Sequence, residues 1–219
     1  MSRSDIYVDV YVHVVSDSTS PSSWYLSRAT VNKQIAILNQ YFQGTGFQYT
    51  LRDVDWTVNS NWAHNGDEYG MKSALRRGSF STLNLYYITD IGPNHTNTGH
   101  CTYPSYGDLT NDGCVMSAWT APGGDSNQFS TGKITVHEVG HWHNLIHTFE
   151  GGCNGGDYVD DTPAESYPSS GCPVGRDTCA SPGLDPIYNH MDYSDDNCRS
   201  EFTPGQIARM KSSWSYYRG

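Results

Sequence analysis

The chain has 219 residues, of which 36% are hydrophobic and 16% charged, and it carries a formal charge of −10. That acidity excludes a partner gripped through its phosphates, which requires clustered Lys and Arg. No apolar run approaches the roughly 18 residues a membrane-crossing helix needs, while 16 Tyr and 6 Trp supply core area and argue against disorder.

In chain order, residues 6–15 alternate Ile6, Val8, Val10, Val12 and Val14 against Tyr7, Asp9, Tyr11 and His13. This period of two predicts a strand with one face in the core and gives His13 a structural role on the other. Over 28–43, Val31, Ile35, Leu38 and Phe42 recur at helical spacing, with Gly44 as the stop. Phe47, Tyr49 and Leu51 predict a second strand, a short helix follows near 67–77, and 82–90 reads as a third strand. Residues 91–130, rich in Gly, Asn and Pro, predict a long irregular hairpin, with a glycosylation sequon at Asn94. Beyond a helix at 131–143, the stretch 148–200 is nearly all loop, which needs covalent links or ions to organise it. Thr203-Pro-Gly-Gln206 is a capping box that opens a final helix striped by Ile207, Met210, Trp214 and Tyr217.

The chain runs from Met1 straight into the first strand without a signal peptide, so an export signal and a pro-segment are expected on the natural precursor. Six cysteines (Cys101, Cys114, Cys153, Cys172, Cys179 and Cys198) at long spacings with no CxxC pair predict three disulfides and an oxidising, extracellular setting.

The chemistry concentrates in His137-Glu-Val-Gly-His141 and the His147 that follows. On a helix, His137 and His141 lie one turn apart on one face, so both reach a single cation at about 2.0–2.1 Å. Glu138 sits where it can work a water on the metal's open side. A continuous helix would rotate His147 about 120° off that face. Asn144 removes the difficulty, because Asn adopts the left-handed conformation that ends helices and lets the chain turn back. The three imidazoles are therefore read as zinc ligands, with Glu138 as the catalytic acid–base. His143 points elsewhere.

With Asn189-His-Met-Asp-Tyr193 downstream, this pattern resembles the metzincins, and within them the pappalysin family, especially its secreted fungal and bacterial members. The matching stretches are 137–153, 156–165, 171–179, 183–186 and 189–198, and the likeness covers nearly the whole chain. The resemblance implies an α+β catalytic domain of two lobes, 1–147 and 148–219. A twisted mixed sheet with backing and active-site helices stands above the cleft, and an irregular disulfide-linked lobe with a C-terminal helix lies below. It implies a secreted zinc endopeptidase in which Met191 forms the Met-turn floor and Tyr193 stabilises the tetrahedral intermediate. Substrate would lie extended along a rim strand within 82–119. It further implies pairing of Cys153 with Cys179 and Cys172 with Cys198, which leaves Cys101 with Cys114. Calcium is implied in the loop after the third histidine, where Asp157, Asp160, Asp161, Thr162 and the carbonyl of Val159 offer hard oxygens. Asp195, Asp196 and Asn197 would wall the substrate pocket.

Two departures stand out: Asn144 occupies a position where the family usually has Gly, and the family's pro-segment is missing from this chain. Asn197 stands where members that cut before Arg or Lys carry an acid, which argues against a strict basic preference unless Asp195 or Asp196 supplies it. The expected partners are protein or peptide substrates, with no nucleic acid and no membrane, and monomer and dimer both stay open. A catalytically silent binding module is the alternative, although Glu138 is present. A calcium-dependent adhesive domain is a third reading, which predicts calcium without zinc.

Overall fold

The computed structural model describes residues 5–92, 95–105 and 107–219, and Asn94 of the sequon lies outside them. Five strands, β1 (Ile6–Ser16), β2 (Phe47–Val58), β3 (Thr82–Ile88), β4 (Gly99–Cys101) and β5 (Cys114–Ser117), form one sheet in the order β2-β1-β3-β5-β4. All pairs are parallel except β4 with β5. Parallel neighbours need crossovers. These are α1 (Arg28–Tyr41) between β1 and β2, then α2 (Ser60–Ala63) and α3 (Glu68–Leu75) between β2 and β3. The mixed sheet with its helices is the α+β architecture expected.

The strand at 6–16 follows the predicted alternation only in its first half. From Val12 onward both faces are buried, because β1 lies inside the sheet and helices cover both sides. One face carries Val8, Val10, Val12 and Val14 against α1 and the helix α4 (Lys133–Trp142). The other packs Val15, Tyr86, Ile88 and Val115 against Ala63 and Met71. His13 stands on this second face, fully buried, bonded to Asp55 at 2.8 Å and to Asn84 at 3.0 Å. Burial of each large aliphatic side chain in such a core contributes about 1.5–3 kcal/mol.

The last helix, α5 (Pro204–Tyr217), carries the complete capping box at Thr203 and Gln206. Met210 and Trp214 join the same core as the sheet's main face, so the C-terminal stretch has no core of its own. Between α4 and α5 the chain is irregular apart from one short turn. Disulfides Cys153–Cys179 and Cys172–Cys198 cross-link it, and Cys101–Cys114 bridges directly opposed residues of β4 and β5.

The edge strand β4 is braced from behind. His100 bonds Glu68 at 2.9 Å, and Glu68 pairs at 2.7 Å with Lys72, whose side chain is fully buried. Burial alone would raise the Glu68 pKa, but hydrogen bonds from His100 and Lys72 outweigh it and draw the carboxyl from 4.5 to about 2. A depressed carboxylate stabilises the fold above its unfolded pKa and loses that contribution as it is protonated. Thermal stability should therefore fall as pH drops from 4.5 toward 2. Glu68→Gln, which strands the Lys72 charge, should cost on the order of 3 kcal/mol at neutral pH. Denaturant melts of both proteins across that range check this; equal acid sensitivity would contradict it.

Candidate metal centre and cleft

Helix α4 is buried along its whole length, so the side chains on its face toward the cleft are held rigidly. The helix ends in a Schellman motif: the Leu145 amide donates to the Gly140 carbonyl at 2.9 Å and the Asn144 amide to that of His141 at 2.8 Å. Asn144 takes φ 76°, the left-handed bend its residue type allows. Arg209 on α5 donates to the Asn144 carbonyl at 2.7 Å and holds the bend. The chain after it runs back, and the ring of His147 returns to those of His137 and His141.

His141 Nε2 lies 3.1 Å from Nε2 of both His137 and His147. His137 Nδ1 bonds the carbonyl of His190 and His141 Nδ1 that of Leu145, each at 2.7 Å. Those carbonyls accept only from a protonated Nδ1, so the facing Nε2 atoms carry lone pairs. Burial holds the pKa of His137 well below the usual range, that of His141 near 4 and that of His147 near 3. Lone pairs converging without a proton between them repel unless a cation stands among them. Tetrahedral zinc at about 2.0–2.1 Å from each nitrogen spaces its ligands about 3.3 Å apart, so the donor set fits that ion. Among the described residues this is the one cluster of three or more such groups placed to hold a metal.

Glu138 projects beside the triad. Its Oε2 is buried without a hydrogen-bond partner, and burial, opposed by the Arg199 charge, pushes its carboxyl to about 8. A dication held by the three imidazoles favours the ionised form instead. The edge strand runs close above: a Cβ at Gly99 would stand 3.0 Å from Glu138 Cγ. Met191 is fully buried beneath α4, where a Cβ at Gly140 would collide with its sulfur. Its turn is fixed by reciprocal bonds between the Asn189 and Gln206 side-chain amides, at 2.8 and 3.0 Å. Tyr193 is 46% exposed at the cleft mouth, its ring 4.8 Å from that of His147.

Four of the expected residues, three from the pocket wall and one from the calcium loop, stand elsewhere. Asp195, Asp196 and Asn197 are not among the residues lining the cleft. Asp196 is buried with both oxygens engaged, Oδ2 by Thr131 and Oδ1 by Arg199 at 2.6 Å, while Asp195 accepts from the Gly171 amide. In the loop after His147, Asp161 turns away to Thr203 Oγ1 and the Gly205 amide, serving the N-terminus of α5. Asp157, Val159 and Thr162 stay together, Asp157 Oδ1 accepting from the Val159 amide and the Thr162 hydroxyl. Asp160 lines the same hollow. His143 is fully enclosed and bonded to the Tyr49 hydroxyl.

The cleft also holds residues that the sequence reading missed. Tyr103 reaches over from the rim to within 3.1 Å of His141 Nδ1, and Phe129, Ile134 and Arg199 wall the interior. Ile134 stands one turn before His137 on the same helix face, a spacing the sequence did display. No local pattern marks the other three.

The profile of the peptidase M43 family, described as pregnancy-associated plasma protein-A, matches residues 78–214. An extracellular metalloprotease of Pyricularia oryzae is 50% identical over 221 residues, spanning 99% of this chain and 77% of that protein. One from Neurospora crassa is 48% identical over 224 residues, spanning 99% and 78%. Among solved structures, mirolysin in complex with compound 9 superposes with a TM-score of 0.83 at 25% identity, covering 99% of this chain and 94% of that one. Mature mirolysin of Tannerella forsythia in complex with a cleaved peptide, at 24% identity, shares the fold with a TM-score of 0.80, covering 97% and 92%.

Proposed function

The chain belongs to the peptidase M43 family, the pappalysins, and on that premise we propose that it is a secreted zinc endopeptidase acting on extended polypeptides. The observation that carries the reading is the meeting of three imidazole Nε2 atoms, His141 standing 3.1 Å from each of the other two, beside an unpartnered Glu138 carboxylate oxygen. The stretches 1–147 and 148–219 act as the two walls of one catalytic domain.

When bound by His137, His141 and His147, zinc supplies Lewis acidity that polarises a peptide carbonyl and acidifies water. The protein's own groups do the rest. The free edge of β4 offers its backbone to a substrate strand. Glu138 Oε2 takes a proton from the attacking water and passes it to the leaving amine. Tyr193, at the cleft mouth, donates its hydroxyl to the carbonyl oxygen as negative charge gathers there. Met191 sets the floor beneath the imidazoles, and the His190 carbonyl fixes the tautomer of His137.

Purified protein should digest casein, stop with 1,10-phenanthroline, and recover on addition of zinc but not calcium. A catalytically silent module predicts stoichiometric zinc without digestion, and an adhesive domain predicts calcium without zinc. Either result would remove the endopeptidase reading.

A calcium ion in the 157–162 loop is supported by a separate observation. Asp157 is 3% exposed, its Oδ2 has no partner, and burial raises its carboxyl pKa. An oxygen-seeking cation answers that orphan, with Asp160, Thr162 and the Val159 carbonyl at hand and Asp161 excluded by its cap. Millimolar calcium should raise the melting temperature of the zinc-loaded protein, and Asp157→Asn should abolish that rise. No shift in the wild type would sink the calcium site.

A further inference from the structure

Arg199 is a buried cation in the wall of the cleft. Its side chain is 2% exposed, yet it lines the cavity with Phe129, Ile134, His137 and Tyr193. One end of its guanidinium is tied down, Nη2 pairing with Asp196 Oδ1 at 2.6 Å, while Nε is buried without a partner. Asp196 has nothing further to offer, because its other oxygen is taken by the Thr131 amide and hydroxyl. A second cation lies alongside. Lys133 Nζ donates to the backbone carbonyls of Asp196 and Arg199 and lies over the Tyr41 ring, not against a carboxylate.

Arg199 thus keeps a buried guanidinium nitrogen without an acceptor, beside a second buried cation held only by backbone carbonyls and a ring, in a wall it shares with the apolar Phe129 and Ile134. A buried charge in this state wants an anion with matching hydrogen-bond geometry, and guanidinium matches carboxylate best. Arg199 lines the same cavity as Glu138 and Tyr193, the groups proposed to act on the peptide bond. The cavity it lines therefore opens beside the scissile bond. Phe129 and Ile134 suit the aliphatic stem of a side chain and Arg199 suits an acidic tip.

Resting on the endopeptidase reading, we infer that Arg199 selects substrates with an acidic residue, glutamate foremost, next to the scissile bond. A pocket built to pair a buried cation discriminates strongly against a side chain that leaves it unpaired.

The test uses the zinc-loaded enzyme and a peptide series carrying Glu, Gln, Ala or Lys at each of the two positions flanking the cleaved bond. At one position, Glu should exceed Ala about tenfold or more in kcat/KM, with Lys the poorest. The same order should appear in equilibrium binding to the Glu138→Ala protein, which reads affinity without turnover. Arg199→Met should bring the Glu-to-Ala ratio near one, and Arg199→Lys should retain part of it. If both variants fail to fold, the wild-type profile and the binding series still decide. Cleavage with no acidic preference overturns the assignment and leaves the endopeptidase intact. So does an Arg199→Met loss that is uniform across all peptides, since that marks an effect through Glu138. An absence of zinc-dependent cleavage overturns the endopeptidase reading, and the substrate assignment with it.

Discussion

Glu138→Gln should lower kcat/KM on a quenched peptide by about 10²–10⁴-fold, the range a positioned acid–base contributes, while zinc content and fold stay as in the wild type. The substitution keeps the side chain's volume but removes the charge and the site that receives a proton. Glu138 Oε2 makes no hydrogen bond in the folded chain, so no structural contact is lost with it, and the melting temperature should move little. The loss should fall mainly on kcat, because the carboxylate engages the water that attacks and not the peptide that binds. Zinc by atomic absorption, kinetics and a thermal melt together settle the matter. A variant that keeps wild-type turnover with full zinc would take the acid–base role away from Glu138.

The second large effect concerns the third imidazole. His147→Ala leaves two neutral nitrogens one helical turn apart. Zinc affinity should then fall by well over the roughly 10–100-fold that losing an outer-shell partner costs. Activity at limiting zinc should disappear with it. Asn144 provides the finer control, since it contacts no proposed metal ligand through its side chain and only sets the bend at φ 76°. Asn144→Gly should keep zinc affinity, glycine being at ease in that conformation. Asn144→Val forces a β-branched residue into the left-handed region, at about 1–2 kcal/mol or more, and should weaken zinc binding while leaving His147 in the chain. Competition titration against a chromophoric chelator ranks the three. Equal affinity in all of them would show that the 144 bend does not place His147.

Much of this molecule was legible from short-range pattern. The helices at 28–41 and 204–217 show their apolar stripes and caps locally, and a cap is a bond between residues three apart. The placement of His137, His141 and Glu138 is also local, because one turn of helix fixes it. The bend at Asn144 could be read because a single residue type carries its cost. Other features needed the tertiary structure. β1 shows one apolar face in its alternation, but its second half is buried on both sides because β2 and β3 flank it and helices cover the sheet. Asp195, Asp196 and Asn197 read as a pocket wall, yet the fold turns Asp196 into the interior to answer Arg199 and Thr131.

The amino-acid sequence by itself determined the proposed metal site's composition, the elements that carry it and the family to which the chain belongs, since each is written in spacings of a few residues along one backbone. Only the tertiary structure decided which charges face the cleft and which are held behind it: Arg199 reaches the cleft while its neighbours Lys133 and Asp196, up to 66 positions apart in the chain, stay behind it, Asp161 caps a helix 44 residues away, and electrostatic partnership depends on distance through space, which periodicity does not encode.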